Sequence, residues 1–150
     1  MRIAVLSDIH ANALALEAVI RQARAEGCDT FWFLGDLVGR GPRPMDALRL
    51  LQAQAPAVWL SGNWDEGLVN DAFRDTFARH WWQVLEWQRM MLSRRNLEAL
   101  QRALQGRPAI VIPKPGIHLA HGAFFLDKRK SLTEYWMSGM NVVLLFQHWQ

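Results

Sequence analysis

The sequence has little cysteine and no long apolar run. Its 150 residues contain one cysteine, Cys28, which excludes an internal disulfide and a cysteine metal cluster. No apolar stretch approaches the roughly 18 residues that a membrane span requires. The first residues also lack the basic start and apolar core of a signal peptide. These absences predict a soluble protein of a reducing compartment, so we expect a cytoplasmic location and no membrane partner.

Composition and charge favour a folded, single domain. Apolar residues make up 51% of the chain and charged residues 21%, so the chain can bury a core and disorder is not expected. The predicted domain covers residues 1–150. The net charge of +3 suits anionic substrates but does not require nucleic acid. We therefore expect a small anionic ligand rather than a nucleic-acid partner.

Strand and helix signals alternate through the first 60 residues. Strands are predicted at residues 2–6, 30–34 and 57–60, where short apolar runs end in glycine or polar residues. Between the first two, Asn12 can cap a helix that ends at Gly27. A second helix is predicted over 45–53, after a loop rich in glycine and proline. This order of elements predicts a parallel sheet with helical crossovers.

The rest of the chain is predicted to be helical and then β. Apolar spacing predicts one helix over 73–92, and Ser93 can cap a further helix over 94–104. Two short apolar runs at 109–112 and 117–120 flank a Pro-Lys-Pro-Gly turn and predict a hairpin. A last strand is expected at 141–146.

Polar side chains directly follow each of the three predicted parallel strands. They form the clusters Ser7-Asp8-Ile9-His10, Gly35-Asp36 and Gly62-Asn63. Ligands of α/β proteins bind outside the carboxyl ends of the strands, so we expect these clusters to meet. Asp8 and His10 are two residues apart, and in extended backbone they would point to the same side. Carboxylates with an imidazole predict a metal site.

Each of these residues also has a purely structural interpretation. Asp8 and Asp36 are types that cap helices or turns. Asn63 after a glycine is typical of a turn, and His121 after an apolar strand fits a hydrogen-bonded core position. Only the combined pattern favours metal binding over these alternatives.

Five short motifs, in order, resemble those of the calcineurin-like metallophosphoesterases. They are Asp8-Ile9-His10, Gly35-Asp36, Gly62-Asn63, His121-Gly122 and Phe146-Gln147-His148. The stretch 34–42 is similar to the small bacterial and archaeal phosphodiesterase branch, in which some members carry a diadenosine tetraphosphatase-like label. The resemblance implies an α/β fold in which a layered sheet of the β-sandwich type is flanked by helices. It also implies that the C-terminal strands of the family are missing or altered in this chain.

The same resemblance implies a chemistry and a set of residues. Two divalent ions, with manganese, iron and zinc as candidates, would activate a hydroxide that attacks a phosphate ester or diester. The phosphorylated substrate would be a small molecule or a nucleotide. Asp36 would bridge the ions and act in catalysis with Asn63. The implied metal ligands are Asp8, His10, Asp36, Asn63, His121 and His148, and Arg40 and Arg43 would contact substrate phosphate unless they form a solvated loop.

Two departures from the family pattern point to weakened activity. Trp64 replaces the histidine that commonly follows Gly-Asn, and indole cannot act as a general acid. Asp65 is a candidate to take over part of the role of this histidine. Gln150 replaces the second histidine of the usual Gly-His-x-His, which would weaken the ion at Asp8 and His10. A catalytically weakened or inactive binding or regulatory protein is therefore the alternative, and a tryptophan-rich scaffold that forms homo-oligomers is a third.

Overall fold

A computed structural model describes residues 1–104, 109–112 and 117–121 of the chain. Three strands, two helices between them, a helical segment and a hairpin follow one another in that order. The strands are β1 (Ile3–Leu6), β2 (Thr30–Phe33), β3 (Val58–Trp59), β4 (Ala109–Ile112) and β5 (Ile117–Ala120). The helices are α1 (Ala13–Ala25), α2 (Pro44–Gln52), α3 (Asn63–Val69), α4 (Arg79–Met91) and α5 (Arg94–Leu104), with a 3₁₀-helix at Asp71–Thr76.

The first three strands form the predicted parallel sheet in the spatial order β1-β2-β3. β1 pairs with β2 from Ile3 opposite Thr30 to Leu6 opposite Phe33. β3 pairs with β2 over two residues only and is therefore shorter than the sequence predicts. All three strands run in one direction, so their carboxyl ends lie at one edge of the sheet.

Helices α1 and α2 begin where the sequence predicts. The Asn12 side chain accepts a hydrogen bond from Ala15 N at 3.1 Å, which caps α1. Pro44 stands in the first turn of α2, where its missing N–H costs no hydrogen bond. Residues of the sheet, of both helices and of the later helical segment share one core, which includes Phe31, Phe33, Leu16, Leu48, Leu85 and Leu100.

The single helix predicted over 73–92 is wrong in its first turns. Asn70 accepts a hydrogen bond from Ala72 N at 2.9 Å and caps a 3₁₀-helix instead. Phe77 then takes an extended conformation, and its ring packs edge-on against Trp64 with centroids 5.2 Å apart. Local capping and this aromatic contact override the apolar spacing. Helix α5 and its Ser93 cap are confirmed, since Ser93 Oγ accepts from Asn96 N at 3.3 Å.

The hairpin of β4 and β5 is confirmed as an antiparallel pair. Leu119 of β5 packs with Leu34, Val58 and Leu60 in a second small core. This contact packs the hairpin against the parallel sheet, on the face opposite to Phe31 and Phe33, and the result is a mixed α/β fold. The predicted strand 141–146 and the expected alteration of the C-terminal strands lie outside the described residues. In the described part of the chain, no helix is both long and apolar enough to span a membrane.

Candidate metal centre

The loops that follow β1 and β2 are hydrogen-bonded to each other beyond the ends of the strands. Asp8 N donates to Gly35 O at 3.0 Å, and His10 N donates to Asp36 O at 3.0 Å. These bonds continue the pairing of the two strands into the loops. The polar residues of both loops are therefore held at a fixed spacing, which is what a metal site requires.

Three of the predicted ligands have backbone conformations that are unusual for residues with side chains. Asp8, His10 and Asp36 lie in the left-handed region with φ of 55°, 49° and 62°. The expectation that extended backbone would align Asp8 with His10 is therefore wrong. The two side chains nevertheless meet, with His10 Nε2 3.6 Å from Asp8 Oδ1. Strained backbone of this kind clusters at functional sites.

Asp36 is the centre of the cluster and is fully buried. Its Oδ1 accepts a hydrogen bond from Trp64 N at 2.9 Å. Its Oδ2 is buried and accepts no hydrogen bond of good geometry from the described residues. That oxygen lies 3.8 Å from His10 Nε2 and 3.4 Å from His121 Nε2. A buried carboxylate oxygen left in this state is costly unless a cation or a proton faces it.

Both histidines are oriented by main-chain carbonyl groups. His10 Nδ1 lies 3.0 Å from Val38 O, and His121 Nδ1 lies 2.9 Å from Leu34 O. A carbonyl only accepts hydrogen bonds, so each Nδ1 carries the proton. In the neutral ring, Nε2 then presents its lone pair toward Asp36. Metal-bound histidines are typically held in this way by a partner at the other ring nitrogen.

The electrostatics of the cluster favour a positive charge. Burial lowers the pKa of His10, but the carboxylates of Asp8 and Asp36 raise it more strongly. Burial likewise lowers the pKa of His121, but the carboxylate of Asp36 raises it more strongly. A hydrogen bond with His10 lowers the pKa of Asp8 to about 2. The carboxylates thus draw protons onto the imidazoles, and a divalent cation would compete for the same nitrogen atoms.

The donor atoms of three residues fit one divalent ion, and the donor atoms of two further residues lie close to them. One ligand atom each from Asp8, His10 and Asp36 lies within 4.8 Å of the others. His121 Nε2, which is near Asp36 Oδ2, also lies 3.3 Å from Asn63 Oδ1. Mixed oxygen and imidazole donors suit first-row divalent metals. Five of the six predicted ligands therefore come together, and His148 lies outside the described residues.

Gly62 allows the third loop to approach Asp36. A Cβ atom at Gly62 would collide with Asp36 Oδ1 and with the backbone nitrogen of Asp36. The backbone of Gly62 itself is extended, with φ of −103°, so close approach rather than conformation requires glycine here. Glycine is thus required at the position before Asn63 for a steric reason.

We expect Gly62→Ala to displace the third loop from Asp36. The overpacking should lower the free energy of unfolding by about 1–3 kcal/mol and weaken Mn²⁺ binding. Urea denaturation and a Mn²⁺ titration would measure the two effects. Gly27→Ala is the control, because a Cβ there meets only Arg2 at 3.9 Å although its φ of 77° adds backbone strain. If Gly62→Ala bound Mn²⁺ no more weakly than Gly27→Ala, the close approach would not matter to the site.

Trp64 is buried against other rings. It does not act as a replacement for the missing acid. Its ring is 3% exposed and lies edge-on to His10, with centroids 5.5 Å apart. It also contacts Phe77 and Trp81 at centroid distances of 5.2 and 5.6 Å. The indole therefore packs against the His10 ring and connects the loop that carries His10 to the helical segment.

Asp65 does not substitute for the missing acid. It is fully buried, and its carboxylate accepts hydrogen bonds from four backbone N–H groups, those of Asp36, Leu37, Val38 and Gly62. Burial and the charge of Asp36 raise the pKa of Asp65 above its usual range, although the hydrogen bonds from Gly62, Val38 and Asp36 act in the opposite direction. The carboxylate binds the second and third loops together. An acid three residues after Gly62, at the start of a helix, was the available sequence signal.

Gln88 is a residue near the site that the sequence did not indicate. Its side chain is 1% exposed and binds the backbone of Gly39 and Gly41, on both sides of Arg40. These contacts join residues 47 and 49 positions apart. No local pattern in the sequence could reveal such a contact.

A cleft of about 560 Å³ opens beside the ligands. Its lining includes Asp8, His10, Arg40 and Arg43. Both arginines are exposed, so they offer cationic groups to a ligand that enters the cleft. The structure thus places the two predicted substrate-contacting residues in the same cleft as two predicted metal ligands, Asp8 and His10.

Comparison with known proteins shows the family. The model of the calcineurin-like phosphoesterases matches residues 1–148, so the chain belongs to that family. A crystal structure of a metallophosphoesterase from Sphaerobacter thermophilus superposes with a TM-score of 0.57 and 34% identity, over 75% of this chain and 44% of that one. The fold is therefore that of a metallophosphoesterase.

Two curated relatives are similar in sequence. An uncharacterized protein of Methanocaldococcus jannaschii is 32% identical over 98 residues, 65% of this chain and 40% of the relative. A symmetrical bis(5'-nucleosyl)-tetraphosphatase of Yersinia pestis is 39% identical over 67 residues, 43% of this chain and 23% of the relative. The chain thus spans less than half the length of the curated relatives it matches.

Proposed function

We propose that this chain is a metal-dependent hydrolase of phosphate esters, most specifically of phosphodiesters or phosphoanhydrides with good leaving groups. The observation that carries this proposal is the fully buried carboxylate of Asp36, whose Oδ2 lies 3.8 Å from His10 Nε2 and 3.4 Å from His121 Nε2. The family membership supports the same reaction class.

We propose that this cluster of side chains holds two divalent ions. Asp8, His10 and Asp36 would hold the first, and Asp36, Asn63, His121 and His148 the second. Such ions supply charge neutralisation at the phosphoryl oxygens and a nucleophile at neutral pH. Manganese, iron and zinc all fit mixed oxygen and imidazole donors.

The chain's own residues position the substrate in this proposal. Arg40 and Arg43 line the cleft beside Asp8 and His10, where their guanidinium groups can hold phosphate oxygens. Asn63 stands next to His121 and is proposed to contact the reacting phosphoryl group. Their task is to align the substrate and to balance charge that develops during displacement.

The proposed leaving group follows from Trp64. Its indole nitrogen does not release a proton near neutral pH, and Asp65 is turned into the backbone. No side chain of the described loops is then placed to protonate a poor leaving group. Loss of general acid catalysis costs roughly 10²–10⁴-fold, and this cost is smallest for anhydrides and activated esters.

A nucleotide-derived small molecule is the proposed substrate class. The name of the Yersinia relative supports this proposal, as does a cleft of about 560 Å³, larger than a phosphate group alone requires. We further propose that residues 1–150 act as one phosphoesterase domain. A cytoplasmic location is proposed on the basis of the single cysteine.

Hydrolysis of bis(p-nitrophenyl) phosphate tests the proposal. We expect turnover when the purified protein is supplied with Mn²⁺, and a loss of about 100-fold after treatment with a chelator. Addition of Mn²⁺ should restore the rate. Turnover that is insensitive to chelation would refute the proposal.

The second candidate function is a metal-loaded binding protein without turnover. Trp64 favours it, because the indole fills the position next to His10 and offers no acid. Stoichiometric Mn²⁺ binding without hydrolysis of any activated ester would select this candidate over the first.

A further inference from the structure

The loop that carries Arg40 is fixed from a distant helix. Gln88 of α4 accepts a hydrogen bond from Gly39 N through Oε1 at 3.0 Å and donates to Gly41 O through Nε2 at 2.6 Å. One side chain thus binds the residue on each side of Arg40. Because Gln88 is 1% exposed, water is a poor substitute for these contacts.

The backbone of Arg40 needs such support. Its φ is 50°, in the left-handed region that residues with side chains rarely adopt. Gly41 N donates to His10 O at 2.8 Å, so the same loop is also tied to a proposed metal ligand. The position of Arg40 relative to His10 therefore depends on hydrogen bonds to its two neighbours.

Two tryptophans restrict the guanidinium group itself. The Arg40 Cζ atom lies 5.4 Å from the ring centroid of Trp64 and 5.0 Å from that of Trp81. Cation–π contacts at this distance are favourable. Trp64, Trp81 and Gln88 all belong to the helical segment 63–104, whereas Arg40 belongs to the loop after β2. The helical segment thus holds both the backbone and the charge of Arg40.

We propose that Gln88 is a positioning residue that fixes Arg40 beside the metal ligands, so that its guanidinium can hold an anionic oxygen of the substrate. The inference rests on the proposed function for the identity of the anion, a phosphoryl oxygen. Gln88 does not itself line the cleft, and its hydrogen bonds go to Gly39 and Gly41 rather than to the proposed metal ligands. It acts through Arg40, and the helical segment therefore sets substrate affinity.

The proposal is tested with Gln88→Leu, which removes both hydrogen bonds, and with Gln83→Leu as a control on the exposed face of the same helix. Two quantities are measured on Mn²⁺-loaded protein: the KM for bis(p-nitrophenyl) phosphate, and the Kd of inorganic phosphate by calorimetry. Gln88→Leu should raise both about 10-fold while kcat changes little. Gln83→Leu should match the wild type.

Arg40→Ala distinguishes positioning from a general loss of structure. If Gln88 acts through Arg40, adding Gln88→Leu to Arg40→Ala should change the Kd of phosphate by less than about 2-fold. Equal losses in the two backgrounds would overturn the proposal, as would a Gln88→Leu variant with wild-type affinity. Gln88→Glu provides a second variant, because it keeps an acceptor for Gly39 N but places a carboxylate oxygen where Nε2 donates to Gly41 O. It should raise the Kd of phosphate as Gln88→Leu does.

The phosphate measurement separates this inference from the proposed function. Protein that binds phosphate but hydrolyses no ester would refute the hydrolase proposal, and the coupling between Gln88 and Arg40 would still decide the inference. Wild-type protein that binds no phosphate would overturn the inference, whatever its activity.

Discussion

Asp36→Asn is expected to lower kcat by at least about 10³-fold, because it removes the negative charge that the proposed ions share. The asparagine keeps an oxygen that can accept the hydrogen bond from Trp64 N, now 2.9 Å from Asp36 Oδ1. The loop contact should therefore survive while the charge is lost. Steady-state kinetics with Mn²⁺ and elemental analysis of the dialysed protein would measure both effects.

The control for Asp36→Asn is Asp46→Asn, an exposed carboxylate on α2 that pairs with Arg49. It should retain wild-type turnover and metal content. Urea denaturation without metal would verify that Asp36→Asn still folds. Equal turnover in the wild type and folded Asp36→Asn would remove the basis of the hydrolase proposal.

Asp65→Ala is expected to lower the free energy of unfolding by about 4 kcal/mol and to weaken Mn²⁺ binding by at least 10-fold. The carboxylate accepts four buried backbone N–H bonds, each 2.9 to 3.2 Å long. Leaving several buried donors unpaired is strongly destabilising, and it releases the second loop from the third. Urea denaturation and a Mn²⁺ titration would measure these losses.

Two comparisons sharpen the test of Asp65. Asp75→Ala, at an exposed position, should change stability by less than about 0.5 kcal/mol. Asp65→Asn keeps one acceptor oxygen and should lose less stability than Asp65→Ala. If Asp65→Ala unfolded at the wild-type urea concentration, the hydrogen bonds would not hold the loops together.

The sequence predicted the sheet and the convergence of ligands because both depend on local pattern. Apolar runs of strand length set β1 and β2, and polar residues directly after them had to share an edge of a parallel sheet. The reason given for the pairing of Asp8 with His10 was nevertheless wrong, because both residues lie in the left-handed region. Strained backbone follows from contacts between loops, which a pattern of residue types does not contain.

The helical segment contains features that the sequence did not predict. Apolar spacing alone predicted one helix over 73–92, but the Asn70 cap and the contact between Phe77 and Trp64 divide it. The roles of Asp65 and Gln88 also depend on partners 27 to 49 positions away. Long-range hydrogen bonds to backbone groups leave little trace in residue type, so the structural role of Asp65 and any role of Gln88 became visible only in the folded chain.

An anomalous difference map from crystals grown with Mn²⁺ would test the central claim most directly. The account predicts a peak among Asp8, His10 and Asp36, and a second peak between Asp36 and the pair formed by Asn63 and His121. In Asp36→Asn crystals the peaks should weaken or disappear. A map of the wild-type protein with no peak next to Asp36 Oδ2 would contradict the account.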